Sequence, residues 1–106
     1  LDYGGPAEPI RMALRFGNRD FVDERISYEE LRVRRQQQKL GPYAVVPVLV
    51  TDGHSFNQSA GILRYIGRQV GLYPDGLEQL RVDQVLEAVT EIQMRMLPAF
   101  YHAACA

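Results

Sequence analysis

The stretch Val45–Gly67, VVPVLVTDGHSFNQSAGILRYIG, decides how the chain is read. VVPVLV and HSFNQ read as two short strands joined through TDGH. Asp52-Gly53 predicts a tight hairpin, because a type I′ turn needs positive φ at both central residues. The segment after it is helical from Ser59 to Val70, where Ala60, Leu63, Ile66 or Gly67, and Val70 make one apolar stripe. Ser59 is the natural N-cap. Pro47 is the awkward residue: a proline inside a strand removes a ladder donor and marks an edge, a bulge or a special peptide.

Two readings of Pro47 stay open. In one it is a trans proline on an edge strand and Ser59 is an ordinary cap. In the other the Val46–Pro47 bond is cis, and the N–H and C=O of Val46 turn outward from the sheet. Those two groups then suit a peptide-like ligand, which would pair with them as an added antiparallel strand does. Asn57-Gln58-Ser59 leads into the helix, whose free N–H groups and positive dipole end favour a carboxylate. A backbone clamp beside an anion site fits a small acidic peptide.

Upstream, GGPAEPIRMALRFG reads as a loop at Gly4-Gly5 followed by a helix, with Pro6 and Pro9 confined to the first turn. Ile10, Ala13 and Leu14 share a helical face, and Gly17 fits the stop. Asp20–Ser27, DFVDERIS, reads as a strand. Tyr28–Tyr43 is helical at its start and loses periodicity toward Gly41-Pro42. Downstream, GLYPDG breaks the chain, which places a domain boundary after Tyr73. From Leu77, the residues Val82, Val85, Leu86, Val89, Ile92 and Met96 recur at helical spacing until Pro98, which should kink or end the helix. The expected architecture is α/β: residues 1–73 form a mixed sheet with helices, and residues 77–106 begin an all-helical domain. The opening at Leu1 without methionine, at what reads as the close of a strand, and the stop inside the helical pattern FYHAACA predict a piece of a longer chain.

Composition narrows the function classes. With 106 residues there is one small domain, or one domain plus part of another. A net charge of −1 provides no field for nucleic acid or anionic membrane, and the basic run Arg32, Arg34, Arg35, Lys39 lacks interleaved aromatics. No apolar run approaches the ~18–20 residues that span a bilayer. Cys105 is the sole cysteine, so there is no disulfide framework, CxxC redox pair or cysteine-rich metal site. Cys105 reads as a packed thiol, and the expected compartment is the reducing cytosol.

AEPIRMALRFG (Ala7–Gly17), VPVLVTDGHSFNQSAGILRYIGRQVGLYP (Val46–Pro74) and EQLRVDQVL (Glu78–Leu86) together resemble the amino-terminal half of a cytosolic glutathione transferase. The flavour is sigma-like, alongside mu, pi and the glutathione-dependent prostaglandin D synthases. The resemblance covers nearly the whole chain in order and spacing. It implies a thioredoxin-like domain with a mixed four-stranded sheet and helices on both faces, followed by the first helix of an all-α domain. It implies glutathione as cosubstrate, no metal, a small electrophile as second substrate, a homodimer, a role in detoxification, and no nucleic-acid or membrane partner.

Residue by residue, the resemblance implies that Val46, before a cis Pro47, pairs through its backbone with the cysteinyl part of glutathione. Gln58 and Ser59 would hold the γ-glutamyl carboxylate and amine. Arg35 or Lys39 would meet the glycyl carboxylate, and Glu91 of a partner subunit would touch the γ-glutamyl ammonium, where relatives usually carry aspartate. The chain also departs from the family. The family's tryptophan near the second helix falls on Leu31, and the arginine of its first loop falls on Pro6. The thiol-activating tyrosine would lie seven residues before Ala7, upstream of Leu1; Tyr3, four residues before Ala7, does not match it. Met94, Leu97 and Tyr101 on the last helix are the residues retained from the electrophile side, and they equally suit a core. The rival reading is a non-catalytic relative, a glutathione-binding or lens-type structural module. Chemistry on a protein thiol is disfavoured by the missing CxxC.

Overall fold

A computed structural model describes residues 5–105, with side chains through residue 99. Six elements follow in order: α1 (Glu8–Phe16), α2 (Tyr28–Gln36), β1 (Leu49–Thr51), β2 (His54–Phe56), α3 (Ser59–Gln69) and α4 (Leu77–Cys105). Chain contacts divide them into two compact units, Leu1–Leu72 and Tyr73–Ala106. Leu1 and Tyr3, and the side chains of Tyr101 and Cys105, lie outside the described residues.

In the first unit, α1 packs on α3. Ile10 and Ala13 from α1 meet Ile62 and Ile66 from α3, with Leu14, Leu49, Leu63 and Val70 around them. The buried stripe of α3 runs through Ile62 and Ile66; Ala60, expected on that face, is exposed. The two stripes differ by a small rotation of the helix, and the larger isoleucines remove more apolar surface from water than an alanine does. Arg19 Nη2 donates to the Gln69 carbonyl at 3.2 Å, tying the end of the α1 turn to the end of α3.

Helices α1 and α2 end by Schellman-type turns, and α1 stops where the sequence places its stop. Gly17 is the C-cap of α1 with φ −85°, while the left-handed residue is Asn18 at φ 51°. Asn18 N–H bonds the Arg15 carbonyl and Arg19 N–H bonds the Leu14 carbonyl. Helix α2 repeats the pattern with Gln38 at φ 58°, and its start is capped by the Ser27 hydroxyl accepting from Glu30 N–H at 3.1 Å.

The hairpin forms as read. Leu49 pairs with Phe56, Val50 with Ser55 and Thr51 with His54, around Asp52 and Gly53 at φ 52° and 76°. Among the described residues the sheet consists of these two strands. Asp20–Ser27, expected as a strand, runs without a ladder there. Its side chains engage helices instead: Asp23 accepts from Arg11 (2.9 Å) and Arg25 (3.1 Å), and Glu24 from Arg34 (2.6 Å). Val22 is 93% exposed, so no described neighbour covers the alternating pattern that suggested a strand.

In the second unit, Tyr73 donates its hydroxyl to the Asp83 carboxylate at 2.8 Å. Pro98 lies inside α4 and does not end it. Val85, Val89, Ile92, Met94, Met96 and Leu97 are exposed along this helix. No described helix is long and apolar enough to cross a membrane.

Candidate functional site

The Val46–Pro47 peptide is cis, the second of the two readings left open by the sequence. Val46 and Pro47 are half-buried just before β1. Among the described residues, neither the N–H nor the C=O of Val46 has an intramolecular partner.

The start of α3 supplies the other side. The helix opens at Ser59, one residue after Gln58, whose φ of 74° and ψ of 96° make the turn into the helix. Gln58 is therefore the N-cap and Ser59 the first helical residue, a one-place correction. A cap is defined by its non-helical backbone, and Gln58 carries it. The first helical bond runs from Ile62 N–H to the Gln58 carbonyl at 3.0 Å. The preceding N–H groups at Ser59, Ala60 and Gly61 have no helical acceptor. No side chain caps this end, and no acidic residue occupies its first turn. The positive end of α3 is thus left for an anion.

Between these two parts stands Asn57, 8% exposed, whose role the sequence reading missed. Its Nδ2 donates to the carbonyls of Leu40 and Val45, both at 2.7 Å, and its Oδ1 accepts from Tyr43 N–H at 2.9 Å. The irregular segment 40–45 is thereby held by a side chain adjacent in sequence to Gln58. Gly41 makes room: at φ 73°, a Cβ there would meet Asn57 Oδ1 at 2.7 Å. The only sequence signal was an asparagine at the mouth of a helix, which reads first as a local cap.

Of the two expected cations, Arg35 is brought to this segment. Its Nε donates to the Ala44 carbonyl at 3.0 Å, two residues before Val46. Lys39 is exposed and has no described side-chain partner. Ala44 is itself left-handed, at φ 54°. Glu91 is exposed on α4 and pairs with Arg95 at 2.9 Å, an ordinary surface ion pair one helical turn apart. An open depression lined by Tyr28, Glu29 and Arg32 contains none of the expected residues. No group of His, Cys, Asp and Glu among the described residues is arranged to hold a metal ion.

The arrangement offers a backbone donor and acceptor at Val46, an uncapped helix start at Gln58-Ser59, and a guanidinium at Ala44. Such a set has the chemistry to meet an extended, acidic, peptide-like molecule. It contains no described group aimed at a sulfur or an electrophile.

Comparisons with known proteins point to one family. The family model described as the glutathione S-transferase N-terminal domain matches residues 3–74. A glutathione S-transferase of Anopheles gambiae is 35% identical over 95 residues, covering 89% of this chain and 45% of that protein. Among solved structures, prostaglandin synthase D of Nilaparvata lugens superposes with a TM-score of 0.86 at 30% identity, covering 99% of this chain and 53% of that one. A glutathione S-transferase from Ascaris lumbricoides gives 0.83 at 29% identity, over 94% of this chain and 48% of that one. The chain spans about half the length of the relatives it matches.

Proposed function

The chain belongs to the glutathione S-transferase family, with that family's thioredoxin-like amino-terminal fold followed by a helix, and on that footing we propose that it is the glutathione-binding part of a glutathione transferase. Residues 1–73 form the glutathione-binding domain in this reading, and residues 77–106 open the helical domain.

The supporting observation is the juxtaposition at Asn57. One side chain ties the segment beside Val46 to the start of α3, so a backbone clamp and an anion-binding helix end share one anchor. In the proposed pose the cysteinyl unit pairs with Val46 N–H and C=O. The γ-glutamyl carboxylate takes the first N–H groups of α3 and the Ser59 hydroxyl, and the Gln58 side chain holds the amine. Arg35 is the better placed cation for the glycyl carboxylate, because its guanidinium is already fixed at Ala44 and retains further N–H donors. Glu91 from a partner subunit is proposed for the γ-glutamyl ammonium in a homodimer; this would require its exchange from Arg95.

The chemistry would act on the cosubstrate's thiol. A free thiol has a pKa of ~8.5, so only a few per cent is thiolate near neutrality. A hydroxyl donating to sulfur favours the anion. Lowering the pKa by ~2 units stabilises the thiolate by roughly 2.7 kcal/mol. The thiolate then attacks an electrophilic carbon; a carbon–sulfur bond forms and the leaving group departs with its electron pair. The activating tyrosine belongs, by the family resemblance, before Leu1. Detoxification in the cytoplasm is the setting this activity suits.

A second reading is a glutathione-binding module of the same fold without transferase activity. Conjugation of glutathione to an aryl halide by the protein bearing this chain separates the two. Turnover supports the transferase; glutathione retention without turnover supports the module; neither binding nor turnover overturns both.

A further inference from the structure

We propose that Asn57 is a positioning residue that sets the span between the two ends of the glutathione site. The inference rests on the glutathione reading of that site. The amide is nine-tenths buried and makes three bonds to three different residues of segment 40–45: donation to Leu40 and Val45 carbonyls, and acceptance from Tyr43 N–H. No buried side-chain polar atom among the described residues is left without a partner, so this amide is fully committed to the contact. Val45 is bonded directly to Val46, and Asn57 directly to Gln58. The Nδ2–Val45 bond therefore links the residue next to the cysteinyl clamp to the residue next to the γ-glutamyl end.

Segment 40–45 has no regular secondary structure to hold its place. It is irregular, with left-handed residues at Gly41 and Ala44, and Leu40 is its one buried apolar residue. The Arg35–Ala44 bond fixes one carbonyl from the side of α2. Asn57 joins the segment to the residues that lead into α3. Serine or threonine at this place would offer a single O–H donor and valine none, leaving one or both of the Leu40 and Val45 carbonyls unpaired. Asparagine is the shortest side chain presenting two donors and an acceptor in one plane. Such a link contributes to ligand affinity by pre-setting the spacing of groups that the ligand must touch together.

Amide-resolved NMR titration of the chain with reduced glutathione tests this. In the wild type, the Val46 and Ser59 amides titrate with one dissociation constant. Asn57→Ala weakens that constant by about tenfold or more, because the freed carbonyls and the loosened segment no longer hold Val46 in place. Asn57→Asp keeps the acceptor for Tyr43 N–H and turns both donors into acceptors facing carbonyls. The Tyr43 amide then stays protected from solvent exchange while glutathione affinity falls as in Asn57→Ala. A folded variant of either kind that binds with wild-type affinity overturns the positioning role. So does an affinity loss that matches only the unfolded fraction seen by circular dichroism. A wild-type chain that shows no saturable titration overturns the glutathione reading beneath it.

Discussion

Gly17 lies against Val70, so close that a Cβ on the glycine would come 2.2 Å from Val70 Cγ1 and 2.7 Å from its Cβ. The glycine thus lets the end of α1 pack on the end of α3, the same pair of helices that carries the core and aims the start of α3. Gly17→Ala should destabilise the fold by about 1–3 kcal/mol, the usual cost of overpacking. Chemical denaturation checks it; a change below 0.5 kcal/mol, roughly the size of a neutral surface substitution, would contradict it.

Gln38 turns the end of α2 in a left-handed conformation that a side chain disfavours. Gln38→Gly should stabilise the chain by about 0.5–1 kcal/mol, the relief of that conformation exceeding the added freedom of the unfolded chain. The same denaturation midpoint reads it, and a lower midpoint than wild type would count against it.

Asp23 and Glu24 make the fold acid-sensitive. Partial desolvation pushes the Asp23 carboxyl up, but the hydrogen bonds and charges of Arg11 and Arg25 overcome it and hold the group below its ordinary range. Glu24 is held low by its hydrogen bond to Arg34 and by that charge, and the Arg34 guanidinium is correspondingly held more firmly protonated. A carboxyl depressed in the folded state adds stability that is complete above its unfolded pKa and is lost as pH falls through its folded pKa. Both contributions are present at neutral pH and fade below the ordinary carboxylate range. Asp23→Asn with Glu24→Gln should flatten the acid limb of the thermal midpoint against pH and lower the midpoint at neutrality. An unchanged acid limb would contradict the assignment.

Ser59 is half-buried at the first position of α3, and its hydroxyl has no described intrachain partner. Ser59→Ala should leave fold stability within about 0.5 kcal/mol. Glutathione affinity should fall several-fold to about tenfold, as for a hydrogen bond to a charged group. Calorimetric titration beside a melting curve separates the two. Equal affinity in Ser59→Ala would remove the hydroxyl from the site.

Arg35 and Lys39, left as alternatives by the sequence, are both exposed and differ in their contacts. The Arg35 Nε donates to the Ala44 carbonyl, whereas Lys39 has no described side-chain partner. Arg35→Ala should weaken glutathione more than Lys39→Ala does, by about threefold or more, and should lower the salt dependence of binding. The reverse order in a titration at two salt concentrations would move the glycyl contact to Lys39.

Local chemistry made much of this legible. Asp52-Gly53 dictates its turn by backbone sterics alone, and the faces of α1 and α3 follow from helical period. Pro47 and Gln58-Ser59 stood out because each conflicts with a plain strand or a plain cap. What the sequence hid depends on distant partners. Asp20–Ser27 alternates like a strand, yet a strand needs a neighbour, and its acidic residues are taken by Arg11, Arg25 and Arg34. Gly17 is the helix stop the sequence indicates, yet its lack of a side chain also serves Val70, 53 positions on, and Asn18 takes the left-handed place. Pro98 does not end α4, which continues through it. Asn57 was hidden for the same reason: its three partners lie 12 to 17 residues upstream.

If Val46 and the start of α3 hold glutathione between them, a crystal structure of the chain grown with reduced glutathione will show the cysteinyl amide paired with the Val46 backbone and the γ-glutamyl carboxylate on the Ser59 N–H. Glutathione seated elsewhere, for instance in the depression at Tyr28, Glu29 and Arg32, with Val46 and Ser59 untouched, would contradict it.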